Sequence, residues 1–230
     1  MNFILLQKLA DGAGFYAETN LNYIIVEPWN AISSLTFLIP VFYWLNKLRG
    51  RYRDFPFLTF CMPLLFMGGL GSTFFHAFRY SRILLLMDVL PILILTLSLS
   101  IYFWYKVLND WKWVLLIVIV FFSLQLGLIY YTPNRQYAIN IAYFIRGIFM
   151  FLPAALLLRN ISIQQAYMLW LAIGCFILAL FFRYFDKNAA DLMYMGSHWL
   201  WHVSTAIGSF YLAEFLYIIA NKDKRSFLEA

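Results

Sequence analysis

The chain holds three histidines, and each falls in an apolar stretch. His76 closes Gly68-Gly69-Leu70-Gly71-Ser72-Thr73-Phe74-Phe75-His76, and His198 and His202 stand four apart in Gly196-Ser197-His198-Trp199-Leu200-Trp201-His202. Residues four apart share one helix face, so His198 and His202 can hold one ion. Ser72 and His76 have the same relation. Asp88 lies in a third apolar stretch, and Glu27 and Asn30 open a fourth in Glu27-Pro28-Trp29-Asn30. An ionisable group inside a membrane helix costs about 2.5–3.5 kcal/mol or more unless paired or used. Each is therefore a candidate site residue. A single histidine would be an interhelical hydrogen bond, but three with an aspartate argue for a metal. Three histidines leave one tetrahedral position open, the ligand count of a catalytic zinc site. Bis-histidine haem ligation would leave the third histidine idle.

The elements that position these groups follow from composition. Of the 230 residues, 63% are hydrophobic and 12% charged, where a soluble domain carries about a quarter charged residues. Mean hydropathy is +0.74. A water-soluble globule of this composition could not cover its apolar surface, so the chain is expected to be an integral, multi-pass membrane protein. The net charge of +6 does not point to nucleic acid, because the basic residues lie between apolar spans.

A bilayer core needs about 20 apolar residues per helix. Seven segments qualify: 23–46, 56–78, 82–105, 112–131, 137–158, 163–184 and 192–220. The expected fold is all-α, one seven-helix transmembrane domain over residues 1–230. Cys61 and Cys175 both fall in spans and suggest no disulfide framework. Residues 1–22 lack the pattern of a signal peptide. With the N-terminus outside, ten basic residues flank the cytoplasmic ends, among them Lys47, Arg49, Arg51 and Arg53, against six outside. The excess sets the N-terminus out and the C-terminus in. His76, Asp88, His198, His202 and Glu27 then converge in the outer half of the bundle, within about 15 Å of its surface at 1.5 Å rise per residue.

As a set these motifs resemble the alkaline ceramidase family, in the superfamily that also holds the progestin and adiponectin receptors. The shared pattern is S-x-x-x-H, here Ser72 and His76, an aspartate on the third helix, here Asp88, and H-x-x-x-H, here His198 and His202. The run Glu27–Ser34 (E-P-W-N-A-I-S-S) is similar to the family's first-helix motif. The N-terminus-out arrangement matches the ceramidase branch rather than the receptor branch. The resemblance implies zinc on the three histidines and hydrolysis of the N-acyl bond of a ceramide-like membrane lipid. Asp88 would act as general base and acid, and Ser72 as an oxyanion donor. It also implies a possible calcium site at Glu18 and Glu27, although the family's full N-terminal ligand run is not matched. A receptor-like or accessory protein, or a hydrolase of another acylated lipid, remains open. Trp199 and Trp201 are expected to pack at the lipid interface. Arg146 is expected to pair structurally, Glu214 to snorkel, and Gln125 with Gly68–Gly71 to serve helix packing.

Overall fold

The computed structural model describes residues 14–228 apart from Ile161. Residues 1–13, part of the N-terminal stretch read above, lie outside the described residues. Helices account for most of the described residues, and no strand occurs among them. In chain order they are α1 (Pro28–Ser34), α2 (Leu38–Lys47), α3 (Pro56–Phe78), α4 (Arg82–Leu108), α5 (Trp111–Tyr131), α6 (Arg135–Leu156), α7 (Ile163–Tyr184), α8 (Asp186–Ala189) and α9 (His198–Leu228). Six of them, α3 to α7 and α9, are long and apolar enough to cross a membrane. Large apolar side chains such as Ile83, Leu86, Leu115, Ile119, Leu126 and Phe181 point outward from these helices, as lipid contact requires. The protein is thus a multi-pass helical membrane protein.

The expected first span, 23–46, is not one helix. A 3₁₀ turn at Leu35–Phe37 separates α1 from α2. Pro40 has no N–H for the Thr36 carbonyl, and its ring crowds that carbonyl. The hydroxyls of Ser33 and Ser34 meanwhile bond back to the Asn30 carbonyl at 3.0 and 2.8 Å, which favours a tightened turn. The expected last span, 192–220, also differs. Its helix starts six residues later, at His198, after a turn in which Gly196 has φ of +66°. A side chain there would strike Ala17 and Asp186. His198 therefore opens its helix instead of lying inside it.

Close packing comes from small residues, as expected where lipid provides no hydrophobic drive between helices. A Cβ on Gly71 would collide with the backbone of Met87 and Asp88, one on Gly68 with Ile92, and one on Gly69 with Phe37. These glycines draw α3 against α4 and against the turn after α1. Gln125 donates to the Ala142 carbonyl at 3.3 Å and ties α5 to α6. Towards the opposite end of the bundle from His198, Trp44, Leu48, Phe103, Leu169 and Phe215 form a fully buried core. Glu214 does not snorkel there but pairs with Lys47 at 2.6 Å.

Substituting Gly71→Ala should lower the melting temperature of the detergent-solubilised protein, since overpacking against backbone costs about 1–3 kcal/mol. Gly127→Ala has nothing within 4 Å of the added methyl and should melt no lower than wild type. Identical melting of G71A and wild type would contradict the close approach of α3 and α4.

Candidate metal centre

The site assembles at the end of the bundle where α3 ends, α4 begins and α9 begins. His76 stands two residues before the end of α3, and His198 and His202 lie on the first turns of α9. All three are buried, with ring centroids 4.7–5.3 Å apart. One ring nitrogen from each lies within 4.8 Å of the others. The three histidines singled out in the sequence thus form one cluster.

Two of the rings are oriented through Nδ1. His76 Nδ1–H donates to Glu27 Oε2 at 2.5 Å, and a carboxylate partner fixes the proton on that nitrogen. His202 Nδ1 lies 2.9 Å from Ser33 Oγ and 3.2 Å from Ser34 Oγ. With both hydroxyl hydrogens turned to the Asn30 carbonyl, His202 Nδ1–H is the donor. In both rings Nε2 is left with its lone pair. His198 Nδ1 is buried with no hydrogen-bond partner. Two held imidazoles with free lone pairs and a third with an unpartnered nitrogen fit a divalent metal, since metal-ligating histidines are held through their other nitrogen. No sulfur ligand belongs to the group.

The surrounding groups explain why these rings converge. Glu27 is fully buried and bonds to Arg79, to Thr19 Oγ1 at 2.5 Å and to Asn30 Nδ2 at 3.3 Å, besides His76. Arg79 holds a left-handed backbone at φ of 53°, uncommon for a residue with a Cβ. Its guanidinium also donates to the Gly14 carbonyl at 2.9 Å and lies over Phe75. Glu18 accepts the backbone N–H groups of Trp29 and Asn30 at 2.6 and 2.9 Å, capping α1. The oxygens of Glu18 and Glu27 thus meet hydrogen-bond donors, and the cation beside Glu27 is the Arg79 guanidinium.

Asp186 does for α9 what Glu18 does for α1. It accepts the N–H groups of Ser197 and His198 at 2.9 and 2.8 Å and that of Ala17 at 2.9 Å. Burial pushes both carboxyls above their ordinary range, against the backbone N–H bonds that hold them down. Tyr16, on the segment before α1, stacks on His198 with centroids 3.9 Å apart. Burial pushes its phenol up to about 12, so it stays neutral. Sequence alone singled out neither Tyr16, Arg79 nor Asp186 as site residues. A carboxylate eleven or more residues from the helix it caps leaves no local pattern to read.

Asp88 lies on α4 in the electrostatic surroundings of His76 and Arg79, with Ser72 beside it. Ser72 Oγ also lies 3.0 Å from Ser34 Oγ. A chain of hydroxyls therefore runs from His202 through Ser34 and Ser72 to Asp88. Trp201 turns inward: its ring stacks with His198 at 6.4 Å and meets Tyr143 at 5.1 Å. Trp29 Nε1 donates to the Tyr194 hydroxyl at 3.0 Å and its ring lies against Trp199. No family model matches the sequence, and no curated protein matches it.

Glu27→Gln should weaken metal binding about 10–100-fold, the usual effect of removing a partner that orients a ligand. Competition of purified protein with a calibrated chelator measures this. An affinity equal to wild type would separate Glu27 from the metal centre.

Proposed function

We propose that the protein is a zinc-dependent intramembrane hydrolase that cleaves the N-acyl bond of a ceramide-like lipid, releasing a sphingoid base and a fatty acid. The observation that carries this is three buried histidines converging beside a carboxylate that is not one of their cluster. A purely structural metal would have no use for such a neighbour. Zinc held by His76, His198 and His202 would polarise the scissile carbonyl and acidify the attacking water.

The remaining steps fall to the chain itself. Asp88 takes the proton of the attacking water as its oxygen bonds to the carbonyl carbon, then delivers it to the departing amine as the C–N bond breaks. Ser72, beside Asp88, donates a hydrogen bond to the developing oxyanion. Tyr16 covers His198 from the end of the bundle and limits access of bulk water.

An acylated substrate is supported by an apolar cavity of about 40 Å³ lined by Pro40, Trp44, Leu65, Leu95 and Leu212, among others. Leu65 and Leu95 stand seven residues from Ser72 and Asp88, about 10 Å further along α3 and α4. That space is lined almost wholly by apolar side chains and suits methylenes. In this reading α1 and α2 together make a seventh crossing. The N-terminus is outside, the C-terminus cytoplasmic, and the site lies in the outer half of the bilayer.

Detergent-purified protein given labelled ceramides and other N-acyl lipids should release fatty acid. Asp88→Asn should keep zinc yet lose most turnover, while Ser72→Ala should lose less, about 10–100-fold. Near wild-type turnover in D88N would remove Asp88 from the reaction. Stoichiometric zinc with no hydrolysis of any N-acyl or O-acyl lipid would favour a receptor-like or accessory role.

A further inference from the structure

Two arginines in the apolar helices are not accounted for by the reaction. Arg146, on α6, has its guanidinium 5.2 Å from the Tyr143 ring; Arg183, on α7, lies 4.6 Å from the same ring and 5.3 Å from Trp201. Structural pairing of Arg146 with a carbonyl or a buried acid was the expectation, ahead of substrate binding. Instead neither arginine makes an ion pair with a carboxylate among the described residues. The Nε atoms of both are buried without a hydrogen-bond partner. So is Oδ1 of Asn140, three residues before Tyr143 on the same helix. Tyr16 and Asp88 lie in the electrostatic surroundings of Arg183. A bound divalent cation would add two more positive charges.

Unpaired charge in an apolar bundle is costly, and such residues usually face a substrate path. The position of this pair is specific. Trp201 lies against Arg183 and stacks on His198, so Arg183 stands one ring away from the metal centre, and Arg146, across Tyr143, stands two. Guanidinium forks match the oxygens of carboxylates and phosphates, and this match makes arginine the usual binder of both.

We propose that Arg183 and Arg146, flanking Tyr143, form an oxyanion subsite for the head group of the lipid. The preferred substrate then carries a carboxylate or phosphate close to its scissile bond. This rests on the hydrolase reading for the word substrate, though not for the binding itself. The donors of the two guanidiniums, whose Nε atoms have no protein partner, receive the anion, while the acyl chain runs towards the apolar cavity.

The test uses the full-length, zinc-loaded protein and a set of N-acyl lipids with one acyl chain and three head groups: neutral, carboxylate and phosphate. Binding is measured by displacement of a fluorescent acyl lipid, and hydrolysis by released fatty acid. At least one anionic lipid should bind tenfold or more tighter than the neutral one, and the better of the two identifies the oxyanion. Arg183→Met and Arg146→Met should each erase most of that preference with zinc content unchanged. Arg183→Lys, which keeps charge but loses the fork, should retain part of it and also guards against a misfolded methionine variant. Equal affinity for all three lipids would overturn the proposal. So would an anion preference that survives both methionine variants, because the anion would then sit on zinc alone. Arginine-dependent anion binding without hydrolysis would uphold the subsite while refuting the hydrolase.

Discussion

A carboxylate with no access to water, Glu27, is the constraint on which the site depends. Placed alone in an apolar bundle it would cost several kcal/mol. Here it is surrounded by Arg79, Thr19, Asn30 and His76. Those partners come from the N-terminal segment, from α1 and from the end of α3, so neutralising one charge fixes three pieces of chain. The same bonds set the ring of His76 and leave its Nε2 unblocked. Removing either charge would strand the other, which makes the pair a specificity device for this end of the bundle. Glu18 and Asp186 extend the pattern by capping the two helices that bring the serines and the histidine pair to the cluster.

Much of this was legible in the sequence because polar residues are conspicuous in apolar spans. His76, His198 and His202 could be placed together from helix periodicity and the alternation of short loops, and the bounds of α3 and α7 match the expected spans. The α9 start was misplaced because Leu192 and Met193 are apolar, although the turn at Gly196 and the Asp186 cap end the loop only at His198. The break after Ser34 was hidden for a related reason: it depends on hydroxyls bonding to their own helix and on Pro40, while hydropathy sees only an uninterrupted run. Arg79 looked like a loop charge. Its role emerges only when the αL turn carries it back over Phe75 to Glu27. The donors that engage Glu18 and Glu27 come from backbone N–H groups and a distant arginine that no spacing rule reveals.

The site is layered by polarity. The layer at the end of the bundle holds the acids and Arg79, the middle layer the histidines, Asp88 and the serine hydroxyls, and beyond them the walls become apolar around Pro40, Leu65 and Leu95. Arg146 and Arg183 lie to one side of the middle layer, where α6 and α7 meet Trp201. A ligand with a polar head, a cleavable linkage and a hydrocarbon tail fits this order of surroundings. A small soluble metabolite would leave the apolar layer without a function.

X-ray absorption at the zinc edge of the purified protein tests the central claim most directly. Three imidazole nitrogens and one light oxygen-type ligand at about 2.0–2.1 Å, with no sulfur at about 2.3 Å, are the expected shell, and His198→Ala should lose one imidazole from it. A sulfur-containing shell, a spectrum of hydrated zinc, or an unchanged imidazole count in H198A would contradict the three-histidine centre.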